Sequence, residues 1–407
     1  MKLLTMTPIH VGSGETLNSL SYITDRNSLY VLNMDKFFAI LSEVQREAYL
    51  QWMEPILNRM AELDGKIDQA KDSRERTQLK NQKRDLERQL SIAWFIENRL
   101  RQPPIDFLKK CFAYQLPFVS PPGRDGFRTH IKDGQNKVYV PGTEIKGTIR
   151  TSLLYSLLKD KTNYEILRGS LNDFLTFFRS GASPKEKIKK LARIADAQFE
   201  NGLERKLLRG REKDAKYDFL KLVNISDTNA VPLTHLQIKT IMVLGSTRNI
   251  RIWEETINPQ TEFQFNFNVQ ERAFLDELKL QRLKDCLSIP KFLEACYYRS
   301  REILEEDKRY FVGEKYILEL INNLQKENQA ISPLLRLGAG QGFLGTTIGL
   351  KVKQNDPELY DDAIREGVSF FRKWRTQRGK FPKTRRVIVD SRGNPVSLLG
   401  WVKLQES

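Results

Sequence analysis

The run Val138-Tyr139-Val140 gives way at Pro141-Gly142 to Thr143-Glu144-Ile145-Lys146-Gly147-Thr148-Ile149-Arg150, and Leu153, Leu154, Leu157 and Leu158 follow at helical spacing. Two β-branched residues around a tyrosine favour a short strand, Pro-Gly breaks it, and the later apolar period is that of a helix. A chain that passes from extended to helical backbone within so few residues belongs to a mixed fold. The same step places unpaired N–H groups and the positive end of a helix dipole at one surface point, with Lys146 and Arg150 one turn apart beside them. The arrangement suits a phosphate. It equally suits a strand, turn and helix that serve only packing.

The flanking sequence extends this mixed character. Strand-like pieces are expected at Met1 to Thr7, Leu20 to Thr24 and Leu29 to Leu32, with a turn at Gly12-Ser13-Gly14 and a helix from about Asp35, Asp35 being the N-cap candidate. Met53, Ile56, Met60, Leu63, Ile67 and Ala70 alternate spacings of three and four among polar residues, and Leu79, Leu86, Leu90 and Ala93 continue the pattern. That is a narrow helical seam, so a helical hairpin or long helix is inserted at about residues 45–110, its charges forming a solvated face. Phe263, Phe265 and Phe267 alternate with polar residues inside an expected strand from Thr261 to Val269, and their period of two marks them as core. Further strands are expected at Leu222 to Asp227, Ile238 to Leu244, Ile250 to Glu255, Arg385 to Asp390 and Leu398 to Leu404. Two domains follow, 1–218 and 219–407.

The chain of 407 residues carries 67 Lys and Arg against 51 Asp and Glu, a formal net charge of +16. Charge of this size speaks to partners, and the commonest are nucleic acid and anionic membranes. No apolar run reaches the length of a membrane span, no lipidation signal is present, and the N-terminus lacks the apolar core of a signal peptide. Cys111, Cys286 and Cys296 have neither metal-ligand spacing nor the even count of a disulfide framework. A cytoplasmic, nucleic-acid-binding protein with no metal and no cofactor is expected. The basic runs Lys185 to Arg193 and Arg205 to Arg211 read as solvated faces.

Two other glycine-rich segments share the logic of the first. His10-Val11-Gly12-Ser13-Gly14 follows the first strand directly. Gly338, Gly340, Gly342 and Gly345 form a loop through which a backbone can approach a ligand closely, flanked by Arg336, Thr346 and Thr347 as phosphate hydrogen-bond donors. The loop lacks the lysine of a P-loop and the dinucleotide spacing, so binding and packing both stay open. Arg124, Arg128, His130 and Lys132 surround Phe127 in a turn-rich segment from Gly123 to Gly134, which reads either as a finger touching a polyanion or as a plain hairpin.

Together, Ile9 to Gly14, Val140 to Arg150 and the late glycine loop resemble the RAMP superfamily of CRISPR RNA-binding proteins. Within it, Arg336 to Thr347, the Leu222 to Asp227 strand, Pro382 to Arg386 and Leu399 to Leu404 resemble the fifth-subunit family of Csm (type III-A) effector complexes. The likeness runs from the first strand to the C-terminus and leaves only the helical insertion unmatched. It implies an α+β fold of two ferredoxin-like, RRM-related RAMP domains, the first carrying the insertion. It further implies a scaffold that grips guide RNA (crRNA), caps the backbone filament at the guide 3′ end beside the repeating subunit, meets target RNA only indirectly, and supports assembly, guide maturation and antiviral defence. By position the RNA contacts would be Gly142, Thr143, Lys146, Gly147, Arg150, Arg336, Gly338, Gly340, Gly342 and Gly345, joined by His10, Gly12, Ser13, Gly14, Arg124, Arg128 and Lys132.

An enzymatic reading stands beside this one. A metal-independent RNase needs a general acid and base with a cation near the charged intermediate, and His10 is the best placed of His10, His130 and His235. A metal-dependent cut, as in a catalytic backbone subunit that cleaves target RNA, would draw on Asp125 and Asp133, which serve equally as turn formers. A protein-only adaptor is the third reading.

Overall fold

The computed structural model describes residues 1–406 apart from 71, 88, 124, 182, 184–185, 188–202, 212–213, 272–273 and 373–380. Arg124 and most of the basic run from Lys185 to Arg193 therefore lie outside the described residues. The fold is mixed α+β. Its strands are β1 (Lys2–Thr5), β2 (Gly12–Leu17), β3 (Tyr22–Asp25), β4 (Ser28–Leu32), β5 (Phe112–Pro117), β6 (Phe127–His130), β7 (Val223–Ile225), β8 (Leu236–Leu244), β9 (Arg251–Ile257), β10 (Glu262–Gln264), β11 (Phe267–Val269), β12 (Leu334–Arg336), β13 (Arg385–Val389), β14 (Pro395–Ser397) and β15 (Trp401–Gln405).

Two sheets draw strands from both ends of the chain. One has the order β10-β1-β15-β12, and the other β14-β13-β8-β9-β6-β2. Leu3 pairs with Phe263 on one side and Leu404 on the other. Residue 218 is thus no boundary between sheets, because N-terminal strands complete sheets built mainly from the C-terminal half. One large core joins these sheets to the helices Gly142–Leu157 and Ile289–Tyr310.

Between the antiparallel partners β4 and β5 lie five helices, α1 (Met34–Ile40), α2 (Glu43–Gln69), α3 (Ser73–Glu87), α4 (Ile92–Asn98) and α5 (Pro104–Leu108). They share a separate core in which Tyr49, Trp52 and Phe95 pack ring against ring. The seam read from the sequence is the buried stripe of α2, which includes Ile56, Leu63 and Ile67. The helix starts behind a Ser42–Gln45 capping box, which satisfies an orphan donor on each side of the cap. α3 folds back on it through Lys83 and Asp64 at 2.6 Å. At α1 the cap is Asn33, whose Oδ1 accepts from the Lys36 amide at 3.0 Å, and not the expected Asp35.

Several other expectations need correction. Gly12-Ser13-Gly14 opens β2 instead of turning, and Gly14, at φ +91°, sits at a register shift, where glycine lets a strand bulge. The expected exposed hairpin at 123–134 contains β6, which lies inside the six-stranded sheet between β2 and β9. Its Phe127 is 1% exposed and packs edge-on against Tyr22, so it is core and no base wedge. Thr261 to Val269 is split between β10 and β11, in different sheets, although all three phenylalanines are buried as their period required. Val138 to Val140 makes only isolated bridges, with Val138 opposite Val231 and Lys132.

α6 (Gly142–Leu157) begins where the sequence places it. A Cβ at Gly142 would stand 2.6 Å from the carbonyl oxygens of Ile225 and Ser226, whereas one at Gly147 would meet nothing within 4 Å. Backbone cannot yield as a side chain can, so Gly142→Ala is expected to cost about 1–3 kcal/mol. Gly147→Ala removes glycine entropy from a helix interior and is expected to add roughly 0.5–1 kcal/mol. Denaturant melts of the two variants should move in opposite directions; equal shifts would contradict this packing.

Candidate nucleic-acid interface

The three glycine-rich segments meet. The amide of Ala339 donates to the His10 carbonyl at 2.8 Å, and the amide of Gly338 donates to Glu144 Oε2 in the first turn of α6 at 3.3 Å. Contact this close explains a glycine at 338. Its φ is +67°, and a Cβ there would lie 2.1 Å from the His10 carbonyl oxygen. Gly340 and Gly342 also hold positive φ, and the loop then enters a short helix, Gly342–Thr346, that contains Gly345. Segments more than a hundred residues apart in sequence thus form one junction.

The start of α6 is not an empty anion site. Asp227 reaches over from the end of β7, and its Oδ1 accepts from the Gly142 amide at 2.7 Å, so a carboxylate already occupies the positive end of the dipole. Farther along α6, Lys146 Nζ donates to the Val223 carbonyl at 2.8 Å. Burial, and secondarily the neighbouring Arg150, pushes the Lys146 pKa below the usual lysine range. Arg150 Nη2 and Arg209 Nε share the Asp218 carboxylate at 3.1 and 3.5 Å. Thr143 and Gly147 are exposed on the same helix. Sequence reading missed the acceptors Asp218, Asp227 and Glu144; their signal was that a cationic helix start set into a core needs carboxylates close by.

The late loop carries a second correction. Arg336, expected beside phosphate, is 3% exposed and is held by Asp307 Oδ2 at 2.9 Å, the Leu399 carbonyl at 3.1 Å and the Gly340 carbonyl at 3.2 Å. Arg385 takes the other oxygen of Asp307 at 2.9 Å. Arg336 therefore ties the glycine loop to the last strand from within. Thr346 and Thr347 turn their hydroxyls back onto the carbonyls of Gly342 and Phe343.

At the other end of the junction lies a buried polar cluster. His10 donates from Nδ1 to the Glu255 carbonyl and His130 from Nδ1 to the Ile131 carbonyl, each at 2.7 Å, because a carbonyl can only accept. The two rings stand edge to face at 6.0 Å. Glu255 accepts from Tyr114 Oη at 2.8 Å, from the His130 amide at 2.7 Å and from Lys132 Nζ. Lys132, expected at the surface, is thus committed to an interior carboxylate. Arg128 stays half-exposed, 3.3 Å from Glu254. Ser13 Oγ meets Thr129 Oγ1 at 2.5 Å, and Gly12 and Gly14 are exposed.

The histidines of this cluster lie inside the core. His10 and His130 are 2% and 1% exposed, and burial pushes the His130 pKa down to about 3, so its ring is neutral at ordinary pH and sealed from a phosphodiester. Asp133 Oδ1 accepts from the amides of Gln135 and Lys137, as a turn former does. Among the described residues no group of three or more His, Cys, Asp or Glu side chains is placed to hold a metal, and no helix is long and apolar enough to cross a membrane.

Comparison with known proteins places the same elements in a wider set. A family model described as the RAMP superfamily matches residues 2–350. A protein of Methanocaldococcus jannaschii named "CRISPR system Cms protein Csm5" is 23% identical over 99% of this chain and 88% of its own length. A chain of a structure described as a Csm-crRNA-target RNA ternary complex in a type III-A CRISPR-Cas system superposes with a TM-score of 0.63 at 19% identity, over 99% of both chains. The crystal structure of T. onnurineus Csm5 superposes with a TM-score of 0.60 at 19% identity, over 99% of this chain and 100% of that one.

The neutral, buried His130 makes stability depend on pH in a definite direction. Its folded pKa of about 3 lies below the ordinary imidazole value of 6.5, so the unfolded chain binds the proton more tightly. The stability linked to His130 is complete above about 6.5 and is lost as pH falls toward 3, at up to about 1.4 kcal/mol per pH unit. His130→Gln should flatten this acid limb in denaturant melts between pH 7 and about 4. A stability difference between wild type and variant that stays constant with pH would contradict the assignment.

Proposed function

The chain belongs to the RAMP superfamily, and from that premise we propose that it is a guide-RNA-holding scaffold subunit of a type III-A CRISPR effector complex, equivalent to Csm5. The observation that carries the reading is the junction itself. Three glycine-rich segments that bring backbone close to backbone converge at the start of α6, in a chain with a net charge of +16. Likeness over almost the whole length to Csm5 proteins, and to a chain of a Csm complex that contains crRNA, supports it. In this reading the partners are crRNA and neighbouring Csm subunits, target RNA is met only through the guide, and the protein works in the cytoplasm in antiviral defence. Its place is the guide 3′ end, where it caps the backbone filament and supports assembly and crRNA maturation. The two long-range sheets with their helices would correspond to two interlocked ferredoxin-like units.

Holding is favoured over cutting by the burial of His10 and His130 and by the commitment of Lys132 to Glu255. The exposed Thr143, Gly147 and Gly12 to Gly14 supply backbone and hydroxyl contacts around the junction. Lys146 and Arg150 supply the charge, exchanging the Val223 carbonyl and part of Asp218 for phosphate.

Affinity carried by phosphate contacts is insensitive to sequence and falls with salt. Lys146→Ala combined with Arg150→Ala should weaken binding of unrelated single-stranded RNAs alike and reduce the magnitude of the salt slope by about 1.4, two contacts at roughly 0.7 each. A folding control accompanies the measurement, because both side chains also hold α6 in place. A well-folded double variant with unchanged affinity and slope removes these residues from the site. In a separate assay, labelled guide precursor incubated with pure protein, with magnesium or with EDTA, should remain intact. Cleavage abolished by His10→Ala would replace the scaffold reading with an RNase.

A further inference from the structure

Register decides which side chains share the outer face of the six-stranded sheet. Thr16 pairs with Arg128, Arg128 with Glu254, and Glu254 with Lys239, and partners in register point the same way. Farther along β8, Ile241 pairs with Ile388 and Val243 with Arg386. The opposite face, with Phe127, Ile238, Ile257 and Val387, belongs to the main core.

Lys239 is the anomaly of this outer face. It is half-buried, and burial alone pushes its pKa below the usual lysine range, with no carboxylate pulling it back. Among the described residues it has neither an ion pair nor a side-chain hydrogen bond. Glu254, its cross-strand neighbour, is given to Arg128 at 3.3 Å. Asp390, at the end of the adjacent β13, spends its carboxylate on the amides of Arg392 and Asn394 in its own turn. Arg386 likewise has no ion-pair partner among the described residues. A lysine amino group that loses water and gains no counter-ion is costly to hold in its charged form, and an anion at that point would offset the cost.

We propose that this face is a phosphate track for single-stranded RNA, centred on Lys239 and flanked by Arg386 and Arg128. Sheet spacing sets Lys239 roughly 10 Å from the Arg128 backbone and roughly 14 Å from that of Arg386, a span of a few successive phosphates. The track starts at the glycine junction, for Leu399, whose carbonyl holds Arg336, packs onto Ile241 and Ile388. RNA fits better than a protein partner. The apolar residues at the centre, Ile241 and Ile388, are already covered, and Val243 and Ile252 on the same face are half-buried, which leaves little of the apolar centre of a protein interface. The proposal rests on the RNA-holding reading above and extends the RNA path beyond the junction.

Binding of a mixed-sequence single-stranded RNA to the full chain, as wild type, Lys239→Gln, Lys239→Arg and Arg386→Gln, tests it across a salt series. Lys239→Gln is expected to lose about three- to tenfold in affinity and about 0.7 in the magnitude of the salt slope, with Lys239→Arg retaining both. Its melting temperature should hold or rise, since an unpaired desolvated charge has been removed; a lysine with a structural role would lower it. If wild type binds RNA while Lys239→Gln and Arg386→Gln bind equally well with the same slope, the track is wrong and the junction stands. Failure of the wild type to bind any single-stranded RNA would overturn the RNA-holding reading, and the track with it.

Discussion

The backbone ladder that ties the first ten residues to the second half of the chain is the constraint on which the other features depend. β1 lies between β10 and β15, and Lys2 stands opposite Gln405. Beyond the strand, the Pro8 carbonyl accepts from Gly400, the Ile9 amide donates to Ile257, and the His10 carbonyl accepts from Ala339. Each bond closes a loop of hundreds of residues, so its entropy cost must be met before the contact stabilises anything. The junction of glycine-rich segments therefore exists only in the completed fold. A local fragment carrying α6 would present Lys146 and Arg150 without the backbone that surrounds them.

The distribution of charge follows from the same closure. Cations at the junction lie in or near the core and are held by acids from other segments: Arg150 by Asp218, Lys132 by Glu255, and Arg336 and Arg385 by Asp307. A strongly basic chain can fold on its own in this way, because these desolvated charges are already matched. The net charge of +16 adds to a long-range positive field around the protein. Lys239 breaks the pattern, being desolvated without a match, and for that reason the outer sheet face extends the proposed RNA path.

Local patterns were legible and long-range pairings were not. The α2 seam, the start of α6, the phenylalanine alternation and most strand positions follow from period and turn chemistry, which are properties of a few neighbouring residues. Strand partners are chosen across the whole chain, and nothing near Lys2 announces its pairing with Gln405. Around Phe127, turn residues at 123–126 and 133–134 frame a four-residue strand too short to show its own period. The glycine loop beside Arg336 and the turn residues around Lys132 suggest exposed cations; their burial against Asp307 and Glu255 depends on acids outside those local segments. Lys239 could have been found, since a lysine at an alternate position of an apolar strand marks its outward face.

The central claim, that the junction of residues 8–14, 142–150 and 338–347 holds guide RNA through its backbone and cations, is tested most directly by amide hydrogen exchange of the full chain with and without guide RNA. Slower exchange on RNA binding is expected in peptides covering all three segments, with the α2 and α3 hairpin unchanged. Protection confined to that hairpin, or absent from the three segments while RNA is bound, would contradict it.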